Sequence, residues 1–365
     1  MREELTPLER SRLYFSGEQV DRLPRGLLGI ETGCTLYDVS PREVLHSVDK
    51  SIEVQNGLDV DFGVDSMGCG PDLKGIGEAL GTKVVYPEWG ICYVEDPVLK
   101  DYAQMESLKN IDIRRQGRMP VLAEVLKRLK DQHGRTHGVD NAIGGPLSTA
   151  AAIRGTENLL RDLRKNPEQL HQLLEFTLDV NISWVKYIWN ECEATVSIAD
   201  PVASGSLLGR ASFCEFEKPY LKKLCREIVK ITGQKPSLHI CGKTHNVWNE
   251  LKSLDISGFS LDNCESLEEF KKAVGDEITI GGNIDPTEVM RFGSPEDVLK
   301  SLKKCLIEGS DSPKGYIPGA GCQIPLGTPK ENLKAFVDGV AKYTKGAKIG
   351  KKISNIPVDS AKISR

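Results

Sequence analysis

The chain has 365 residues, with 48 Lys and Arg against 52 Asp and Glu, a formal charge of −4 and a hydrophobic fraction of 39%. That is too apolar for a disordered chain, and no eighteen-residue apolar run is present to span a membrane. At a pI near 6.0 there is no overall basic footprint for nucleic acid.

The N-terminus, MREELTPLERSRLYF, is charged throughout and has no apolar signal core. The expected compartment is therefore a reducing cytoplasm. There the ten cysteines read as metal ligands or small buried hydrophobes rather than disulfides. Residues 1 to about 50 read as an extension of short helices, with GLLGIETGC (26–34) as its most strand-like part. From 52 to 95 the glycine-rich text reads as a long functional loop. Apolar spacing predicts a helix over 118–133, and NAIGGPLSTAAAIRG (141–155) predicts a strand, a Gly-Gly-Pro break and a helix start. A long helix fills 167–192, whose Trp184 and Trp189 read as core.

A regular alternation follows. Strands are predicted at 194–200, 236–242, 258–263, 278–285 and 315–322, with helices at 215–233, 245–254, 267–275, 294–309 and 328–344. Strand–helix units in series imply parallel strands joined by crossovers. The predicted fold is α/β, a (β/α)8 TIM barrel with N-terminal helical additions and long loops at the mouth, over a single domain 1–345. An open doubly wound sheet is the alternative, but no G-x-G-x-x-G or Walker A run accompanies the strands. The polar tail, 346–365, has no period and reads as disordered or vector-derived.

In a barrel of this kind the chemistry lies at the carboxyl ends of the strands. His239 and Cys241 are two apart near one strand end, so both can face one point, and Cys322 ends a later strand in GAGCQIP. H-x-C alone also describes a core histidine beside a buried cysteine. A His, Cys, Cys set suits Zn2+, and three protein ligands leave one position open, as in catalytic rather than structural sites. Other strand-end residues are Asp200, with a catalytic reading or an Asx-turn or N-cap one, and Asn283 and Asp285 in GGNIDPT. Asn283 is a candidate for a catalytic contact, and Asp285 reads as a turn former. Lys243 is a candidate for an anionic substrate group, or a solvated loop lysine.

SLHICGKT, GGNIDPTEV and PGAGCQIPLGTP, with SIADPVAS and IGGPLSTAA upstream, resemble the uroporphyrinogen decarboxylase superfamily. More narrowly they resemble its corrinoid-dependent branch, typified by methylcobamide:coenzyme M methyltransferases. The resemblance implies one Zn2+ per chain on His239, Cys241 and Cys322. Asp65, in DVDFGVD, lies with Asp61 near where decarboxylases keep an active-site Asp, and is a candidate substrate contact. The decarboxylase branch carries an N-terminal arginine pattern that Arg22 and Arg25 do not reproduce, which argues against porphyrinogen decarboxylation.

The implied reaction is methyl transfer between a methylcobamide and a thiol bound to zinc as thiolate. Zinc would supply the ionised sulfur that a free thiol of pKa about 8.5 provides only sparingly at pH 7. The alternative is a methyl-donor:corrinoid methyltransferase acting on an O-, N- or S-methyl compound, and a non-catalytic scaffold with a closed zinc is a further one. The nearest D-x-H-x-x-G-like run, Asp131 to Thr136, has Thr136 where Gly is wanted, so it reads as a solvated helix end. The corrinoid is therefore expected on a separate small corrinoid protein, with a small-molecule thiol or methyl donor as the other partner and neither nucleic acid nor membrane.

Overall fold

In the computed structural model, residues 4–26, 29–354 and 356–357 are described. Among the described residues nine strands form: β1 Ser66–Asp72, β2 Lys83–Val85, β3 Tyr93–Asp96, β4 Gly138–Gly144, β5 Thr195–Ala199, β6 Ser237–His239, β7 Gly258–Ser260, β8 Thr279–Gly281 and β9 Tyr316–Ile317. β2 and β3 make a separate antiparallel hairpin. The other seven make one sheet in the order β1-β4-β5-β6-β7-β8-β9, every neighbouring pair parallel. A parallel sheet gathers all its strand carboxyl ends at one end, so the segments after β1 and β5 to β9 share a rim.

Alternation along the strands separates two faces. Val139, Val196, Ile198, Leu238, Phe259 and Ile280 are buried in the hydrophobic core. The opposite face is small or hydroxylic. Registers pair Asp140 with Thr195, Ser197 with Ser237, and His239 with Ser260, and each of these but exposed Ser237 is only partly buried.

The helices predicted at 118–133, 167–192, 267–275, 294–309 and 328–344 appear as Met119–His133, Pro167–Cys192, Leu267–Val274, Pro295–Gly309 and Lys330–Tyr343. Trp184 is fully buried in the core, its Nε1 donating to Asn141 Oδ1 at 3.1 Å. The helix expected at 245–254 is shorter, a 3-10 turn running into Trp248–Leu251.

Three expectations need correction. Residues 30–34 of the supposed strand form a short helix, Ile30–Cys34, and residues 27–28 lie outside the described residues. The region 52–95 is not a loop. It holds the helix Val48–Phe62, strand β1, the helix Gly75–Ala79 and the β2–β3 hairpin. β1 escapes its pattern because Gly68 and Gly70 are needed for close packing. A Cβ there would lie 2.1 Å from the Asp140 carbonyl oxygen and 2.0 Å from that of Ala142. The start of the tail is ordered: the Ala347 carbonyl accepts from Val20 N at 2.9 Å, Ile353 N donates to Ser310 Oγ at 3.2 Å, and Ala347 and Ile356 are buried.

The N-terminal segment reaches both edges of the sheet. Gly26 N donates to Pro318 O at 2.8 Å beside β9. Arg25 N donates to Asp65 Oδ2 at 2.7 Å just before β1. Leu23 N donates to Thr344 Oγ1 at 2.9 Å.

Candidate metal centre

β6 ends at His239, and the chain turns at Gly242, whose φ of +72° suits glycine. The Gly242 N–H is held by Asp262 Oδ2 at 2.7 Å, and the other oxygen of Asp262 accepts from Cys264 N at 3.0 Å. Cys322 arrives from beyond β9. Gly321 N donates to Ile284 O at 2.8 Å, and a Cβ on Gly321 would lie 2.3 Å from Asn263 N, so only glycine lets this loop approach.

These contacts bring the three predicted ligands together. His239 Nε2 is 3.1 Å from Cys241 Sγ, Cys241 Sγ is 3.6 Å from Cys322 Sγ, and the three donor atoms lie within 4.8 Å of one another. Around a tetrahedral Zn2+ with ordinary bond lengths, sulfur–sulfur separations are about 3.8 Å and nitrogen–sulfur ones about 3.6 Å. The cysteines are free thiols, and 3.6 Å is far beyond the ~2.05 Å of a disulfide. The donor set therefore fits a single zinc. All three residues are half-buried, neither sealed in the core nor on the open surface.

The protons are shared unevenly. Hydrogen bonds from Cys241 and then His239 hold the Cys322 thiol down at about 4. Cys241 is pushed well up, first by its hydrogen bond to the Cys322 thiolate and then by burial. Burial alone would lower His239, but its bonds to Cys322 and the Ser260 carbonyl raise it. One thiolate is thus already favoured.

The other predicted site residues are not part of this donor cluster, though Asn283 and Lys243 adjoin it. Asp200 is fully buried and turns to the helix Pro146–Arg154. It accepts from Ser148 Oγ at 2.5 Å, Ser148 N at 2.9 Å and Leu147 N at 3.2 Å. Burial raises its carboxyl to about 6. Its capping reading fits this geometry and its direct catalytic reading does not. Asn283 donates to the carbonyls of Asp262 and Glu265 at 3.2 and 2.9 Å, so its amide braces the loop beside Cys241. Asp285 accepts from Thr287 N, Glu288 N and Asn263 Nδ2, as a turn former does. Lys243 is exposed on the loop after Cys241.

Asp65 is a correction. It precedes β1, at the amino end of the sheet, opposite the ligand rim. Its carboxylate accepts from Arg10 Nη1 at 2.8 Å and from both terminal nitrogens of Arg22 at 2.6 and 2.8 Å. A buried carboxylate so enclosed by guanidinium groups is structural and is not presented to substrate.

The rim after β1 was not anticipated. Asp72 accepts from Arg118 Nη2 at 2.5 Å, and Arg118 is almost completely buried with its Nη1 lacking a hydrogen-bond partner. Burial raises the Glu31 carboxyl beside them, and the Asp72 charge adds to it. No spacing signal was available, because β1 itself was hidden by its glycines. A groove of about 900 Å³ between residues 105–114 and the helix Pro167–Cys192 contains none of the ligand trio.

The uroporphyrinogen decarboxylase (URO-D) family model matches residues 6–343. The chain belongs to this family. Among relatives, it is 30% identical over 246 residues to the methylcobamide:CoM methyltransferase MtbA of Methanosarcina acetivorans, covering 67% of this chain and 70% of that one. It is 28% identical to the methylated-thiol–coenzyme M methyltransferase of Methanosarcina mazei, covering 60% of this chain and 58% of that one. A uroporphyrinogen decarboxylase of Oryza sativa is 26% identical, over 60% of this chain and 56% of its own. Among solved structures, a methyltransferase from Methanosarcina mazei superposes with a TM-score of 0.79 at 22% identity, covering 92% of this chain and 98% of that one. Among the described residues no helix is long and apolar enough to cross a membrane.

Proposed function

We propose that this member of the URO-D family is a corrinoid-dependent methyltransferase, joining a cobamide-borne methyl group to a thiol held at a zinc site of His239, Cys241 and Cys322. The observation that carries the reading is the convergence of those three donor atoms within 4.8 Å at the carboxyl ends of a parallel sheet. The similarity to methylcobamide:CoM methyltransferases supports it. In this reading the sheet is a closed (β/α)8 barrel, with residues 22–26 filling the place between β9 and β1. Its small, hydroxylic inner face contrasts with the bulky branched filling usual in such barrels.

Zinc held by His239, Cys241 and Cys322 would lower the pKa of an incoming thiol and so supply a thiolate at neutral pH. The chain's own residues prepare for this. Ser260 O, 3.0 Å from His239 Nδ1, accepts that nitrogen's proton and leaves Nε2 as the donor to metal. Two cysteine thiolates and a neutral histidine would balance the charge of a divalent ion, so the residues that would hold zinc leave it able to accept a thiol as a nucleophilic thiolate. Asp262 and Asn283 brace the loops that carry Cys241 and position the site; neither needs to touch the reacting atoms. In the reaction the site would serve, the methyl carbon would exchange its cobalt bond for a bond to the thiol sulfur, with the electron pair of the broken bond leaving on cobalt as Co(I). The corrinoid comes on a separate protein docking over the rim.

The test uses purified, zinc-assayed protein in two arms. In one, a methyl-Co(III) corrinoid protein is mixed with thiols, and loss of the methylcobalt absorption together with thioether formation is expected. In the other, Co(I) corrinoid is offered O-, N- and S-methyl donors, and methylation only there reverses the assigned direction. Zinc-independent release of CO2 from a porphyrinogen, with neither methyl transfer, overturns the proposal.

A further inference from the structure

A second group of donor side chains lies at the other end of the molecule. The helix Met119–His133 ends in His133, and His137 immediately precedes β4, so both stand near the amino end of the sheet. The helix Val48–Phe62 packs alongside and presents Asn56 and Asp59, three residues apart and hence on one helical face. His133 Nε2 lies 2.8 Å from Asn56 Oδ1, and His137 Nε2 lies 3.2 Å from Asp59 Oδ1. The two rings meet edge to face with centroids 5.6 Å apart. Donor atoms of Asp59, His133 and His137 lie within 4.8 Å of one another.

We propose that His133, His137, Asp59 and Asn56 form a second metal site, for a borderline divalent ion such as Zn2+, joining the helix Val48–Phe62 to the flank of the sheet. Two imidazoles, a carboxylate and an amide oxygen make a nitrogen–oxygen set of the kind Zn2+, Co2+ or Ni2+ accepts. The surroundings of His137 are arranged as for a ligand. Its Nδ1 is 2.9 Å from Thr136 Oγ1, and that hydroxyl donates to His133 O at 3.1 Å. With the hydroxyl proton on the carbonyl, Nδ1–H donates to Thr136 Oγ1 and Nε2 keeps a lone pair for a metal, the outer-shell pattern of metal-bound histidines. In the other tautomer Nε2–H donates to Asp59 Oδ1, and a bound cation takes the place of that proton. The ring is 8% exposed and so cannot swing out to water. The Asp131-to-Thr136 run thus acquires a role that is not corrinoid binding.

The site is independent of the proposed catalytic zinc, and the experiment keeps them apart. A Cys241→Ser, Cys322→Ser chain is stripped of metal and titrated with Co2+. One equivalent is expected, with visible d–d absorption but no near-ultraviolet sulfur-to-cobalt charge-transfer band. Adding His133→Asn, a change at a half-buried surface position, is expected to weaken this binding at least tenfold. In the otherwise native chain, His133→Asn should leave the sulfur-ligated equivalent in place. Zn2+ should raise the melting temperature of the double-cysteine chain and not of the chain that also carries His133→Asn. Failure of the double-cysteine chain to bind Co2+ up to millimolar concentration, or binding undiminished by His133→Asn, overturns the site.

Discussion

The backbone oxygen of Ser260 sits 3.0 Å from Nδ1 of His239, its register partner one strand away. The sheet itself thus decides which ring nitrogen faces Cys241, with no side chain required. Because the orienting group is a carbonyl in the ladder, the setting of the His239 ring depends on the sheet, while the two cysteines depend on the braced loops beyond β6 and β9.

Cys241→Ala and Cys322→Ala each remove one of three donors from a half-buried site outside the main core. Both are expected to lose the sulfur-ligated metal and methyl transfer, with far-ultraviolet circular dichroism unchanged. Elemental analysis and a transfer assay on the same preparations check this. Retention of stoichiometric metal in either variant would count against the ligand set.

Asp262 holds Gly242 N and Cys264 N with its two oxygens. Asp262→Ala frees the turn that aims Cys241. Metal affinity is expected to fall by about 10–100-fold, the range usual for outer-shell partners. Competition with a chromophoric chelator measures it, and Asp262→Asn should recover part of the loss through its remaining oxygen.

Asp65 is the common acceptor for Arg10 and Arg22. Asp65→Asn leaves buried guanidinium groups short of a counter-charge, a loss of about 3–5 kcal/mol for breaking a buried pair. Denaturant unfolding should show that loss, while metal content per folded chain stays unchanged. A normal stability with a raised Michaelis constant would instead restore a substrate role.

Asp140 faces the hydroxylic side of the sheet, bonded to Ser197 and to Thr195. Burial outweighs those bonds and raises its carboxyl from 3.8 to about 6. The folded state holds this proton more tightly than the unfolded one, so its stabilisation is complete below about pH 4 and is lost as pH rises through about 6. The shift corresponds to about 3 kcal/mol at most. Unfolding measured between pH 4 and 7 should show a smaller decline for Asp140→Asn than for the native chain.

The second half of the chain was legible because each β-α unit writes its own period. Pro167–Cys192 matches the predicted helix end to end, and strand-end position and donor chemistry made His239, Cys241 and Cys322 candidates, with the family resemblance choosing the ligand reading over a core histidine beside a buried cysteine. What stayed hidden obeys no period. β1 reads as a loop because Gly68 and Gly70 serve the carbonyls of β4, a demand set by a strand seventy residues away in sequence. Asp65 misled because an aspartate before a strand looks the same whether it meets a ligand or three arginines. Asp200 stands at a strand end as expected, yet the helix Pro146–Arg154 claims it, and only tertiary structure shows which neighbour competes successfully for a carboxylate.

The contacts from Val20 to Ala347 and from Leu23 to Thr344 join places separated by most of the polypeptide. The seam they seal cannot close until the helix Lys330–Tyr343 has been made, some three hundred residues after Val20. Such distant pairing slows folding. It also places residues 20–23 beside residues 344–347, so a permuted chain that links these two segments directly and opens elsewhere should assemble by a shorter search.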